Sequence, residues 1–348
     1  MKHNSGPQHP LWQLTLVRWR LFAREPSAIF WTYGFPILLA LALGTAFRNR
    51  PPEPVEVAVK ASAEAEVLRD ALAGNPFVHV HWLGAAEARE ALRVGQVSLV
   101  VGAEQPLTYE FDPARPESRM ARAVVDDALQ RAQGRTDVIQ VKDRPMTEPG
   151  SRYIDFLIPG LLGFNLMSSG MWGVGFVLVE MRVGKLIKRL TATPMSRTHF
   201  LLSFVLVRGL FLLGELPLLL AFARLVFDVP IRGSLLLITT LSALGSLVFA
   251  GMGLLVASRA TNTQTVAGLV NLVTLPMAIC SGVFFSAARF PEMFQPLIKA
   301  LPLTALIEGV RAVMINGAGP TAVARHVLIL LAWGTLSFAV SLRLFRWQ

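Results

Sequence analysis

The chain is short of charge, nearly without cysteine, and carries no nucleotide-binding signature. Asp, Glu, Lys and Arg make up 16% of its 348 residues, whereas soluble globular domains carry about 25%. With 53% apolar residues and a mean hydropathy of +0.50, that shortfall points to an integral membrane protein. A single cysteine, Cys280, excludes an intrachain disulfide and a thiolate metal cluster, which needs several ligands. It reads as a small apolar residue of a membrane helix. No G-x-x-x-x-G-K-[S/T] phosphate loop occurs. The nearest fragment, Val183-Gly184-Lys185-Leu186, lacks the first glycine and the closing Ser or Thr, so the chain cannot bind ATP in that mode.

What is abundant is positive charge, a formal +10. It is not spread as a nucleic-acid surface would require. Residues 48–152 hold 14 Lys/Arg against 16 Asp/Glu, and the remainder holds 19 against 7. The excess cations therefore flank apolar segments, as at the cytoplasmic ends of membrane helices, and no nucleic-acid partner is expected.

A bilayer core of about 30 Å takes about 20 helical residues. Six segments satisfy that length: 28–47, 154–179, 200–227, 233–257, 264–287 and 322–342. The first is too long for a signal-peptide core and reads as an uncleaved anchor. With the N-terminus inside, twelve cations flank the inner ends and five the outer ends, which favours both termini in the cytoplasm. The expected fold is thus an α-helical membrane protein with six transmembrane helices and a small α/β extracytoplasmic domain inserted between helices 1 and 2. Its parts are an interfacial N-terminal helix over 1–27, helix 1 over 28–47, the α/β domain over 48–152 and a five-helix domain over 153–348. In the N-terminal stretch Gln13, Arg20 and Arg24 form a polar face opposite Trp12, Leu16, Trp19 and Ala23, suited to the headgroup plane.

Within 48–152, strand and helix patterns alternate: VEVAVKA, FVHVHWL, VSLVVGA and LTYEF as strands, with helices between and after them. Ser62 is a candidate N-cap for the first of those helices. His79 and His81 share one strand face, but no third ligand follows at a metal-binding spacing. They read as solvent-facing, and no metal is expected.

Between the second and third segments, EMRVGKLIKRLTATPMSRTH (180–199) carries five Lys or Arg. Treated as a helix over 182–190, it places Val183, Leu186, Ile187 and Leu190 on one stripe, with Arg182, Lys185, Lys188 and Arg189 opposite. Thr193-Pro194 ends it, because the residue before proline avoids the helical region. Such an element either passes a push from a soluble partner into the membrane or is a basic loop that fixes topology.

The spaced set Glu180, Gly184, Leu186, Leu190, Thr193, Pro194 and Ser196 resembles ABC-2 type transporter permeases, whose corresponding region contacts the ATP-binding subunit. That family often has a second acid where Arg182 stands and Thr where Lys185 stands, which implies a more acidic partner face here. A second match lies at 281–311, with Ser281, Gly282, Phe284, Phe285, Pro291, Pro302, Leu303, Thr304 and Arg311. Ser286 and Ala305 replace a usual Pro and aromatic. Glycine and prolines there imply short helices near the outer leaflet, tolerated only inside protein or along a cavity. The resemblance implies a coupling helix at 180–197 involving Glu180, Arg182, Gly184, Leu186, Ile187, Leu190, Thr193 and Pro194. It implies ATP and Mg bound by a separate ABC ATP-binding subunit, no cofactor or catalysis in this chain, and a second permease chain in the plasma (inner) membrane.

Arg208 and Glu215 lie seven apart in the third segment, on one helix face. Ionisable groups at membrane depth usually face a bundle interior or a water-filled cavity. They read either as a translocation pathway, together with Asn165 and Asn271, or as an ion pair to another helix with Arg208 and Arg224 snorkelling to the two surfaces. Asp155 and Glu308 are expected to meet water. The expected function is export of an amphipathic or lipid-like solute. The alternatives are an ion-coupled secondary transporter, which should show internal repeats that this sequence lacks, and a receptor built on 48–152.

Overall fold

The computed structural model describes residues 10–47, 54–61, 65–104, 106–136, 139, 141–142, 150–191 and 197–344. The chain divides into two compact units, one of Met1–Arg48 with Met146–Gln348 and one of Asn49–Pro145.

The first unit begins with α1 (Pro10–Ala23), followed by α2 (Pro26–Ile29), a π-helical turn at Phe30–Gly34 and α3 (Phe35–Ala46). The last three run on as one apolar span, Pro26–Ala46. The inward side of α1 carries buried Thr15 and the Arg18 guanidinium, which lies 3.3 Å from the Phe204 ring centroid. Trp12 and Trp19 remain exposed.

The second unit contains β1 (Val55–Lys60), α4 (Glu66–Ala73), β2 (Val78–Leu83), α5 (Ala85–Val94), β3 (Leu99–Gly102), β4 (Thr108–Glu110) and α6 (Pro116–Ala132). Its sheet has the order β2-β1-β3-β4, with β1 parallel to both neighbours and β4 antiparallel to β3. Alternation along the strands builds two cores. Val57, Val59, Leu99 and Val101 meet Leu68 and Leu72 of α4 and Ala121 and Val125 of α6. Ala58 and Val100 point the other way, onto Ala88 and Ala91 of α5. Each strand segment picked out by sequence pattern contains one of these strands. The candidate cap Ser62 lies outside the described residues.

The first unit resumes with α7 (Tyr153–Gly170), a second π-helical turn at Met171–Phe176 and α8 (Val177–Val183). There follow α9 (Leu186–Thr191), α10 (Arg197–Phe227), α11 (Leu235–Ala257), α12 (Thr263–Cys280), α13 (Gln295–Ala300), α14 (Pro302–Asn316) and α15 (Pro320–Leu344). Among the described residues six helices are long and apolar enough to cross a membrane: Pro26–Ala46, Tyr153–Val183, Leu206–Phe227, Leu235–Ala257, Thr263–Cys280 and Pro320–Leu344. The helix α11 sits at the centre, packed against α7, α10, α14 and α15. Close approach explains its glycines. A Cβ on Gly253 would stand 2.9 Å from the Gly170 carbonyl oxygen of α7.

Two expectations need correction here. The fifth span, expected to reach residue 287, ends at Cys280. Gly282 adopts a left-handed backbone (φ +78°), which stops the helix although Val-Phe-Phe continues the apolar run. Asp155 does not meet water; it is 0% exposed. Its carboxylate accepts from the Gly150 and Arg152 amides at 2.7 and 3.1 Å and from the Arg152 guanidinium at 2.8 and 3.0 Å. A buried carboxylate needs such partners, and the Arg152 amide is one of the unpaired donors at the start of α7.

Candidate functional site

The junction of α8 and α9 is the first candidate. The expected single helix over 182–190 is broken in two. The Gly184 amide donates to the Glu180 carbonyl at 2.9 Å and the Lys185 amide to the Arg182 carbonyl at 3.0 Å, closing α8. Lys185 then takes a left-handed backbone, φ +57°, unusual for a residue with a Cβ, and α9 starts at Leu186. The break rotates α9 about its axis, so the expected apolar stripe does not persist. Ile187 is buried at 3% exposure, while Val183 and Leu186 are 55% and 46% exposed. Glu180 and Lys185 are also exposed. The Leu190 side chain, Thr193 and Pro194 lie outside the described residues.

Arg182 does not join that outward surface. Its Nη1 donates to the carbonyls of Ala257 at 2.9 Å and Ala260 at 2.7 Å, and Nη2 reaches the Ser258 carbonyl at 3.4 Å. These are carbonyls at and beyond the last turn of α11. The last four carbonyls of a helix have no intrahelical donor, and the negative end of the helix dipole attracts a cation. The expectation that Arg182 adds positive charge towards a partner is therefore corrected: its guanidinium is engaged at the end of α11, whereas Lys185 is exposed.

The second candidate is a buried polar cluster. On α10, Arg208 Nη2 lies 2.9 Å from Glu215 Oε2, with side chains 3% and 2% exposed. The two meet at ion-pair distance but out of hydrogen-bond alignment. The other oxygen, Glu215 Oε1, accepts from Asn165 Nδ2 at 2.6 Å and lies 3.3 Å from Ser169 Oγ, whose shorter bond, 2.6 Å, goes to the Asn165 carbonyl; both residues are on α7. Asn165 Nδ2 also reaches the Thr32 carbonyl at 3.2 Å, inside the first π-helical turn, and Ser169 directly precedes the last residue before the second. The pair is thus within one helix, not between helices, and Arg208 is enclosed instead of snorkelling. Arg224 is exposed, 2.6 Å from Asp228. Sequence pattern does not point to Ser169 or Thr32, although Ser169 stands four residues after Asn165, on the same face of a helix. Asn271 is not brought in. It is exposed on α12, one turn from Gly268, where an added Cβ would meet no atom within 4 Å. A cavity of about 390 Å³ between α1, α10 and α11 is lined by Trp12, Thr15, Gly209, Leu213 and Ser246 among others, and by neither Arg208 nor Glu215.

In the third group, at 281–311, the last residue reaches back to the start of the segment. Arg311 Nη2 donates to the carbonyls of Gly282 at 3.0 Å and Phe156 at 3.1 Å, and its Cζ lies 3.8 Å from the Phe156 ring centroid. Ser281, Pro302 and Thr304 are buried in the bundle. In the second unit, His79 and His81 are exposed and flank Glu56, at 3.2 and 2.6 Å. The hydrogen bond from His81 is the main influence holding the Glu56 carboxyl below its usual range, while burial works the other way. Among the described residues no group of three or more His, Cys, Asp or Glu is placed to hold a metal ion.

Comparison with known proteins gives a consistent set of matches. The sequence profile described as ABC-2 family transporter protein matches residues 26–343. The chain is 25% identical over 343 residues to the probable multidrug ABC transporter permease YbhS of Escherichia coli (strain K12), with 90% of each chain covered. It is 30% identical over 173 residues to ABC transporter G family member 20 of Dictyostelium discoideum, which covers 49% of this chain but 23% of that protein. It is 25% identical over 178 residues to the linearmycin resistance permease protein LnrN of Bacillus subtilis (strain 168), covering 51% of this chain and 46% of that one.

Proposed function

The chain belongs to the ABC-2 family of transporter proteins, a membrane subunit of an ABC transporter, and from that premise we propose that it is the permease of an exporter driven by a separate ATP-binding subunit. In this reading ATP and Mg are bound and hydrolysed by that partner. The cargo is an amphipathic or lipid-like solute moved out of the cytoplasm or inner leaflet. The names of two relatives, a probable multidrug permease and a linearmycin resistance permease, support that substrate class. The chain sits in the plasma (inner) membrane with both termini cytoplasmic and residues 48–152 outside, as the distribution of flanking cations supports.

The observation that carries the reading is the α8–α9 junction. Between two spans the chain presents a short, rigidly turned element with two exposed apolar side chains, Val183 and Leu186, beside exposed Glu180 and Lys185. A compact apolar pair rimmed by charge suits a protein partner better than water. A second permease chain, whether identical or not, covers the outer face of α12. Asn271 is exposed there within an apolar span, and a polar group at that depth is costly against lipid.

The test is affinity purification from native membranes in mild detergent. The chain should bring down a nucleotide-binding subunit, identified by mass spectrometry. Val183→Asp with Leu186→Asp should lower its recovery roughly tenfold or more, the scale of losing an interface hot spot, with membrane insertion unchanged. A double variant that retains its ATPase in full contradicts the proposal.

A further inference from the structure

We infer that Arg182 is a positioning residue that ties the α8–α9 junction to the inner end of α11, so that movement of the junction reaches the centre of the bundle through α11 as well as along α10. The inference rests on the function proposed above. Its own basis is the bond set. One guanidinium holds three carbonyls at the end of α11, those of Ala257, Ser258 and Ala260, at 2.7–3.4 Å. Its planar fork makes this a directional clasp, which a point charge on a flexible stem would not reproduce.

The clasp stands where it has leverage. Arg182 lies one residue before the end of α8, three before the left-handed Lys185. Any rotation of α9 about that turn pulls on the last turn of α8, and Arg182 passes the pull across to α11. Of the four described spans that follow the junction, α11 is the most enclosed, bearing on α7, α10, α14 and α15. Its glycine contacts to α7 are close enough that a shift at one end is carried along its length instead of being absorbed locally. The side chains of the outward surface, Val183 and Leu186, receive the partner; Arg182, turned the other way, carries the result.

The experiment uses the complex with its ATPase, in a Cys280→Ser background so that no native thiol of this chain reacts. A bimane label is placed in separate preparations at Arg189→Cys on α9 or at Leu236→Cys, exposed at the far end of α11. Trapping with ATP and vanadate should shift the emission at both sites. In Arg182→Gln the Arg189 site should keep its shift, while the Leu236 response weakens by about 2- to 30-fold in its equilibrium, the range of coupling changes along connecting networks. Arg182→Lys should fall between. A purely structural role would diminish both sites together, so retention at Arg189 is the discriminating readout. An undiminished Leu236 response in Arg182→Gln, or in Arg182→Lys where the glutamine variant does not fold, overturns the inference. Failure of any ATPase to bind the unsubstituted chain overturns the proposed function and this inference with it.

Discussion

Glu215→Ala should leave little folded protein. The substitution strands Arg208 at 3% exposure without its Glu215 counter-charge and removes the nearer of the two acceptors of Asn165 Nδ2. Breaking a buried ion pair from one side costs about 3–5 kcal/mol, against a total stability of roughly 5–15 kcal/mol for a typical domain. Detergent-solubilised chain followed by fluorescence-detected size-exclusion should show loss of the monodisperse peak or a sharply lowered melting midpoint. The double replacement Arg208→Leu with Glu215→Leu should recover most of the loss, because no uncompensated charge remains. The double variant also separates the two readings of the pair. Full export by a folded double variant assigns the pair to structure. A folded double variant without export assigns it to the translocation path.

Gly160→Ala should be nearly as damaging, for steric instead of electrostatic reasons. An added Cβ would lie 2.3 Å from the backbone carbonyl oxygen of Val283. That carbonyl cannot withdraw easily, because the neighbouring Gly282 is held by Arg311. Overpacking of this kind costs about 1–3 kcal/mol or more. The control is Gly209→Ala on α10, where no atom lies within 4 Å of the new Cβ. There alanine should be neutral or stabilising by up to about 1 kcal/mol, since glycine is the poorer helix former. Equal losses of melting midpoint in the two variants would show that the α7–Val283 crossing is looser than its geometry indicates.

Much of this fold is legible in the sequence because membrane length and strand alternation are strong signals. The six apolar helices follow from apolar length, and the four strands of the second unit from short runs, alternating as in VHVHWL or continuously apolar as in VSLVVGA. What is illegible depends on single residues. Nothing in MRVGKLIK announces that Lys185, and not Gly184, takes the left-handed backbone, yet that choice splits the expected helix and turns Leu186 outward. The apolar run through Val283, Phe284 and Phe285 conceals the stop at Gly282. Arg182 reads as one more cation on a solvated face, because a side chain that caps a helix 75 residues away has no local signature. The heptad spacing of Arg208 and Glu215 places them correctly on one face, but the α7 groups that complete the cluster come from a helix separated by 50 positions in sequence. Asn271 joins them in the sequence on chemistry alone, and the fold sends it to a different surface.

The central claim is that the α8–α9 junction lies on the side of the membrane where ATP is available. Side-specific thiol labelling tests it most directly. In a Cys280→Ser background, Lys185→Cys and Gln130→Cys both place a thiol at an exposed position. In intact cells, a membrane-impermeant maleimide should label Gln130→Cys and spare Lys185→Cys until the membrane is opened. Labelling of Lys185→Cys in intact cells as fast as Gln130→Cys would put the junction outside, beyond the reach of any ATPase.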